Sequence, residues 1–179
     1  MEEEKKKDKD PKIRIARKLK RLFPNGCKKI LLVHPPNVPK EDWNPDVAID
    51  NRYPVYPPTG LATLSRTLQN HGYPREDIDV LDLNLLLQII FKANPEAFRF
   101  EAWQDILEAY IDNFKPDMIG MGCMFTIYYR QMKAMAEFIK EKWPKLPIVV
   151  GGVHTSDASK LVAEDCKKFD ILHLFEGNE

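Results

Sequence analysis

The sequence has no apolar run long enough to cross a membrane, and its charged start does not resemble a secretory signal. Its three cysteines, Cys27, Cys123 and Cys166, lie far apart, which argues against a disulfide framework and against a zinc site made of neighbouring cysteines. These absences predict a reduced, cytoplasmic protein without a membrane span. With 179 residues, 44% hydrophobic and 30% charged, the chain fits one ordinary domain plus an appendage.

Two common nucleotide-binding motifs are also missing. The first predicted strand is followed by Pro35-Pro36-Asn37-Val38-Pro39, where a Rossmann protein would have Gly-x-Gly-x-x-Gly, and the chain contains no P-loop. Nicotinamide cofactors and ATP are therefore disfavoured. The same proline-rich segment is a poor substitute for the Ser/Thr-rich phosphate loop of flavodoxins, so another nucleotide cofactor such as FMN ranks last.

The net charge of zero conceals an uneven distribution. Residues 1–29 carry twelve Lys/Arg and five Asp/Glu, about +7, so the remaining residues carry about −7. Residues 1–25 are interpreted as a tail, disordered at first and then a short basic helix with Ile15, Leu19 and Leu22 on one face. Such a helix could dock on an acidic partner, a nucleic acid or an anionic membrane, or it could cover part of its own acidic domain. The last interpretation is favoured, because one short basic helix is a weak signal for an external partner.

From residue 28 onward, short apolar runs alternate with segments of helical periodicity. Strands are predicted over 29–34, 78–83, 118–122, 148–150 and 170–175, and helices over 59–71, 85–93, 95–114, 126–143 and 157–168. Strands separated by helices form a parallel sheet with right-handed crossovers. The predicted fold class for 28–179 is α/β, a doubly wound five-stranded parallel sheet in three layers, of either Rossmann-like or flavodoxin-like order.

One connection is unusually long. The segment from Pro35 to Pro58 contains seven prolines together with Trp43, Tyr53 and Tyr56. Loops of this length in a compact domain are usually functional or disordered. The prolines and aromatic residues favour an ordered flap over the carboxyl end of the sheet.

The most informative segment runs from Ile148 to Ser156, where a strand that is apolar on both faces ends in Gly151 and Gly152. In an open α/β sheet, the ligand crevice lies outside the carboxyl ends of the strands. Residues without a Cβ let backbone approach a large flat ligand or a phosphate closely. This pattern localises a candidate site without naming its ligand.

Seven short segments follow one another in a characteristic order: Val33-His34-Pro35-Pro36, 56–64, His71-Gly72-Tyr73, 78–82, 115–120, 149–154 and Glu176-Gly177-Asn178-Glu179. Taken together, they resemble the N-terminal cobalamin-binding domain of radical S-adenosylmethionine enzymes, over nearly everything except the tail. The resemblance implies a flavodoxin-like fold that holds cobalamin base-off, with the corrin against the carboxyl ends of the strands. It places the dimethylbenzimidazole tail between strands and helices, beneath the double glycine.

The resemblance also implies a set of cofactor-binding residues. They follow the third, fourth and fifth strands and are Gly122, Cys123, Met124, Phe125, Thr126, Gly151, Gly152, Val153, His154, Glu176 and Gly177. The Asp-x-His-x-x-Gly motif that provides a cobalt ligand in mutases is absent, so no residue is assigned to a metal. No catalytic residue is assigned either, since His34 ends an apolar strand and Cys123 has no histidine near it in sequence.

The radical enzymes continue into a barrel with Cys-x-x-x-Cys-x-x-Cys for a [4Fe–4S] cluster, and this chain has no such triplet. S-adenosylmethionine and the cluster are therefore expected in a missing domain or a partner. This chain is expected to be an excised domain or the product of a split gene. The predicted function is a cobalamin-binding module of a methyltransferase-type system that does not turn over substrate alone. The alternative is a degenerate scaffold or interaction domain of the same fold, supported by Gly122 where other cobalamin domains have Ser. Nucleic acid is not favoured as a partner.

Overall fold

The computed structural model describes residues 10–50, 53 and 55–175. Its helices and strands are α1 (Pro11–Leu22), β1 (Ile30–His34), α2 (Pro45–Ile49), α3 (Thr59–Asn70), β2 (Ile78–Asp82), α4 (Leu83–Ala93), α5 (Ala102–Phe114), β3 (Met118–Gly122), α6 (Tyr129–Lys142), β4 (Ile148–Gly151), α7 (Val153–Asp157), α8 (Ser159–Asp165) and β5 (Ile171–Leu172). Short 3₁₀ turns lie at Lys40–Asp42, Arg75–Asp77 and Thr126–Tyr128. The predicted disordered start, residues 1–9, lies outside the described residues.

The five strands form one parallel sheet in the order β2-β1-β3-β4-β5. This order confirms the α/β prediction and is the flavodoxin-like one of the two alternatives. The apolar run of β1 is buried throughout from Ile30 to Val33 because β1 lies inside the sheet with helices on both faces. The more polar, alternating β2 lies at the edge.

The two faces of the sheet are covered unequally. On one face, Leu31, Ile119 and Val150 belong to a large core that includes residues of α4, α5 and α6. On the opposite face, Ile30, Leu32 and Ile78 pack with Leu61 of α3 in a much smaller cluster. We call this second surface the α3 face. Alternate residues of each strand point to opposite sides, and β1, β2 and β3 contribute described residues to both clusters, whereas β4 and β5 contribute only to the larger one.

Several predicted helix boundaries are wrong. The sequence predicts a helix from Pro95, but α5 begins at Ala102, because Phe98 and Phe100 turn inward against Trp43. The predicted helix over 157–168 is shorter in the structure, where α8 spans Ser159–Asp165, and the short helix α7 before it, over Val153–Asp157, was not predicted.

The amino end of α4 also differs from the prediction, which begins this helix at residue 85. The Asp82 carboxylate accepts a hydrogen bond from the Leu85 N–H at 3.0 Å, and Asn84 is buried inside the helix. The helix therefore follows β2 directly, with a carboxylate in the usual capping position.

The described part of the long connection is tied to the helices of the larger core. The Asn37 N–H donates to Asn84 Oδ1 at 3.2 Å, and Gln131 Nε2 donates to the Val38 carbonyl at 2.8 Å. Trp43 stacks on Tyr53 with ring centroids 4.9 Å apart and meets Phe91 edge-on at 5.6 Å. These contacts hold the segment in one conformation from β1 to α2.

Candidate functional site

The ends of β3 and β4 bring two of the predicted site segments together. Gly122 and Gly151 are partners in the register of the two strands. Just beyond them, the Cys123 N–H donates to the Gly151 carbonyl at 2.9 Å, and the His154 N–H donates to the Cys123 carbonyl at 3.2 Å. The loop after β3 and the start of α7 therefore form one continuous surface at the carboxyl edge of the sheet.

The two glycines after β4 have different structural roles. Gly152 has φ of 101°, and a Cβ there would lie 2.5 Å from the Cys123 carbonyl oxygen, so its missing side chain serves a contact within the protein. At Gly151, a Cβ would meet the His173 carbonyl oxygen at 3.5 Å, which is ordinary van der Waals contact. Of the pair, Gly151 is the one that can leave space for a ligand.

The α3 face is open toward β4 and β5. Gly122 and Gly151 lie side by side on this face, with the Cδ2 atom of Leu61 3.4 Å from the Cβ position of Gly122. Farther from α3, Val149 and Ile171 are paired in register and are only half-buried. The α3 face is therefore less covered over β4 and β5 than beneath α3, and Gly122 and Gly151 lie at the boundary between the two parts.

An exposed group of apolar side chains surrounds this edge, which we call the apolar rim. It comprises Val55, Tyr56, Met124, Phe125, Ile127, Val153, Leu174 and Phe175, from the approach to α3 and from the loops after β3, β4 and β5. Ile127 is 67% exposed and Phe175 is 81% exposed. Exposed apolar surface concentrated in one place marks a binding site for a ligand or another protein.

Two tyrosines connect the parts of the rim. The Tyr128 ring meets Phe125 edge-on with centroids 5.5 Å apart. Burial raises the pKa of Tyr128, and the neighbouring Tyr56 adds to the effect, which shows that the end of the long connection lies beside the β3 loop. Tyr56 belongs to the long aromatic connection and to the segment 56–64 that carries part of the resemblance, but nothing in the local pattern indicates that it lies near Tyr128.

His154 is the polar group best placed to contact a ligand. It is 7% exposed, its Nδ1 lies 3.1 Å from Thr126 Oγ1, and its ring centroid lies 5.1 Å from that of Tyr129. Its Nε2 is buried and has no hydrogen-bond partner among the described residues. Because buried ring nitrogens are normally hydrogen-bonded, this atom has the capacity for one further hydrogen bond, to a water or to a bound ligand.

Cys123 lacks the properties of a nucleophile. Its side chain is fully buried, its Sγ lies 3.3 Å from the Phe125 carbonyl oxygen, and burial raises the pKa of the thiol to about 12. A thiol that stays protonated at neutral pH is unreactive. Burial also lowers the pKa of His34 at the end of β1, partly opposed by Asp82 beside it.

The remaining predicted residues divide into exposed and undescribed ones. Met124, Phe125, Thr126 and Val153 are exposed at the carboxyl edge, whereas Glu176 and Gly177 lie outside the described residues. No three His, Cys, Asp or Glu side chains among residues 10–50, 53 and 55–175 converge as a metal site. Across the same ranges, no helix has the length and apolar character needed to cross a bilayer.

The rim residues Ile127, Leu174 and Phe175 are missing from the sequence-predicted set. Ile127 lies in the 3₁₀ turn after β3, and Leu174 and Phe175 follow β5, which is shorter than predicted. Their exposure could not be recognised from the sequence, since apolar residues at strand ends usually indicate burial.

Comparison with known proteins identifies this architecture. The model of the B12 binding domain matches residues 45–179. The cobalamin-dependent radical SAM methyltransferase TokK of Streptomyces tokunonensis is 33% identical over 63 residues, a stretch that covers 35% of this chain and only 9% of that protein. The chain therefore belongs to the B12-binding domain family, whose cofactor is cobalamin.

Proposed function

We propose that this chain holds cobalamin base-off at the carboxyl edge of its sheet and presents it to a radical S-adenosylmethionine domain of the methyltransferase type. The observation that carries the proposal is the apolar rim around a buried His154 Nε2 without a partner. A corrin is large, flat and mostly apolar, with polar amides at its periphery, so it matches a rim of this composition. The similarity to TokK supports the assignment to a radical system.

The residues divide naturally between the corrin and its nucleotide tail. Met124, Phe125 and Val153 expose apolar side chains that would contact the corrin, and Thr126 and His154 would offer polar contacts. Gly122 and Gly151 border the opening of the α3 face, where the tail would enter. The backbone contact between Gly152 and Cys123 would hold the two loops in place beside the cofactor. Glu176 and Gly177 complete the set inferred from the sequence.

The protein's part in such a system is binding and orientation. Bound cobalamin supplies a cobalt-centred carrier for a methyl group, and this chemistry belongs to the cofactor. No described residue is assigned to the cobalt, since the sequence lacks the Asp-x-His-x-x-Gly motif that provides a cobalt ligand in mutases. S-adenosylmethionine and the [4Fe–4S] cluster belong to the partner domain.

Reconstitution tests the binding step directly. The purified chain is mixed with hydroxocobalamin, desalted, and inspected for an absorption spectrum that elutes with the protein. After reduction to the cob(II)alamin state, electron paramagnetic resonance should show no splitting from an axial nitrogen, because neither the cofactor's base nor a histidine is bound to cobalt. A nitrogen splitting would show that the cofactor's base or a histidine is bound to cobalt, which would contradict this assignment.

Variants identify the contacts. His154→Ala should weaken cobalamin binding roughly tenfold, as expected for one buried hydrogen bond to a neutral group. His71→Ala is the matched control, since His71 is exposed at the far end of α3 and its Nδ1 contacts only the Thr67 carbonyl among the partners recorded for it. Equal cobalamin affinities of the two variants would show that His154 does not contact the cofactor.

A second candidate is a scaffold of the same fold that has lost the cofactor. It is favoured by the packing on the α3 face, where Leu32 Cδ2 lies 2.7 Å from the Cβ position of Gly120 and Leu61 takes up space beside Gly122. This candidate predicts a protein that remains colourless after desalting. It also predicts that a separate iron–sulfur subunit is recovered with the chain regardless of added cobalamin.

A further inference from the structure

We propose that α1 is an anchor that lies on anionic lipid surfaces. This inference is independent of the cobalamin site, because α1 lies at the other edge of the sheet. It begins at Asp10, whose carboxylate caps the helix by accepting from the Lys12 N–H at 2.9 Å, and Pro11 occupies the first turn. With these start signals the helix is well defined at its amino end.

The two sides of α1 have opposite chemistry. Ile15, Leu19 and Leu22 recur at intervals of four and three residues and form an apolar stripe. Basic side chains recur in the same way along one flank of this stripe, at Arg14, Arg17, Lys18 and Arg21, and the helix contains no acidic residue. A helix with an apolar stripe bordered by lysine and arginine is the form that lies in a membrane interface.

The apolar stripe is only partly covered by the protein's own domain. In the described chain, α1 buries none of its residues, and Ile15 is 59% exposed and Leu19 42% exposed. Leu22 is partly buried, and Leu19 borders a cavity of about 470 Å³ together with Ile30 and Met118. Ile15 and the exposed part of Leu19 are therefore available to an external apolar phase.

Charge favours lipid over the other external partners. The first 29 residues carry about +7 and the rest of the chain about −7, so positive charge is concentrated at the helix and would be attracted to anionic headgroups. A nucleic acid would use the cations but leave Ile15 and Leu19 in water. An anionic bilayer satisfies both sides of the helix at once.

Sedimentation of the full chain with vesicles tests the proposal. Binding is expected to phosphatidylcholine vesicles that contain about 30% phosphatidylserine, and not to pure phosphatidylcholine, because each cation near an anionic surface contributes about fivefold to partitioning. Arg14→Gln combined with Lys18→Gln removes two cations and should therefore reduce partitioning by roughly 30-fold. Salt at about 0.5 M should also weaken binding, because the screening length falls well below 10 Å.

The apolar half of the argument has its own variant. Leu19→Glu should reduce partitioning at least about tenfold, since it removes a leucine from the lipid phase. Leu161→Glu makes the same change at another exposed leucine, on α8, and should have no effect. Circular dichroism would establish that both variants remain folded.

Three results would overturn the proposal. The first is no sedimentation with phosphatidylserine vesicles, and the second is undiminished binding by Leu19→Glu. The third is tighter binding to single-stranded RNA than to vesicles at equal phosphate concentration, which would identify α1 as a nucleic-acid contact.

Discussion

Replacing Gly152 with alanine tests the contact that joins the two loops of the site. The residue has φ of 101°, and the new Cβ would lie 2.5 Å from the Cys123 carbonyl oxygen and 2.9 Å from its nitrogen. These are backbone atoms, and the oxygen already accepts from the His154 N–H, so they cannot rotate away. The positive φ costs about 1 kcal/mol and the overlap about 2 kcal/mol, so the free energy of unfolding should fall by about 3 kcal/mol.

Two other glycines provide matched controls. Gly72 has φ of 95° and nothing within 4 Å of its Cβ position, so Gly72→Ala should cost about 1 kcal/mol from the backbone conformation alone. Gly151→Ala introduces its Cβ at 3.5 Å from the nearest atom and should be close to neutral for stability. The difference between Gly152→Ala and Gly72→Ala measures the overlap with Cys123 together with the cost of the ψ of 174° at Gly152, in a backbone region that essentially only glycine adopts.

Urea unfolding followed by circular dichroism and tryptophan fluorescence measures all three variants. With a urea dependence of about 2 kcal/mol per molar, the midpoint for Gly152→Ala should fall by about 1.5 M at unchanged slope. Equal midpoints for Gly152→Ala and Gly72→Ala would refute the overlap. If the Gly151→Ala protein is stable but binds cobalamin poorly, the missing side chain of Gly151 serves the ligand.

Other regions of the fold give further predictions. The pKa of Cys123 rises from the ordinary 9.0 to about 12 on folding, so between these values the native state keeps a proton that the unfolded chain loses. The free energy of unfolding should therefore decline as the pH rises above 9.0. Melting temperatures that stay constant over this alkaline range would contradict the prediction. Trp43→Ala should cost about 3 kcal/mol in urea unfolding and Trp43→Phe clearly less, since phenylalanine retains part of the aromatic contact. Asp170→Ala removes the carboxylate that lies 2.7 Å from the ammonium of Lys140, whose side chain is only 10% exposed, and should lower the free energy of unfolding by about 2–3 kcal/mol. Asp105→Ala breaks an exposed ion pair and should lower it by under about 1 kcal/mol. Thermal unfolding of both variants tests this ranking, and the reverse order would contradict it.

The strands could be predicted because their patterns allow few alternatives. The apolar run at 30–33 can be satisfied only if both faces are covered, which places it inside a parallel sheet. In the run at 148–150, Ile148 and Val150 are buried, whereas Val149 lies on the less covered α3 face. The alternation in 78–82 permits one less buried face and an edge position, as observed for β2. Periodicity also identified the buried side of α6, including Met132 and Met135.

The parts that could not be predicted depend on contacts between distant segments. Residues 95–100 have helix-forming character, but Phe98 and Phe100 gain more by packing on Trp43, which lies more than fifty positions earlier in the chain. The double glycine presents the same difficulty. A sequence shows that a Cβ is missing at Gly152, but only the structure shows that a neighbouring backbone, that of Cys123, needs the space.

The two proposed ligands, lipid and cobalamin, would bind at opposite ends of the strands. Near Leu19, α1 approaches Ile30 and Met118, the first residues of β1 and β3, whereas the apolar rim follows the last residues of the strands. A lipid surface held by α1 would therefore leave Phe125 and Val153 accessible to cobalamin and to a catalytic domain. Sites that share no residues have no direct competition, so saturating the chain with phosphatidylserine vesicles should leave its cobalamin affinity unchanged. A loss of cobalamin on vesicle binding would mean that the helix and the rim meet in solution, against the arrangement described above.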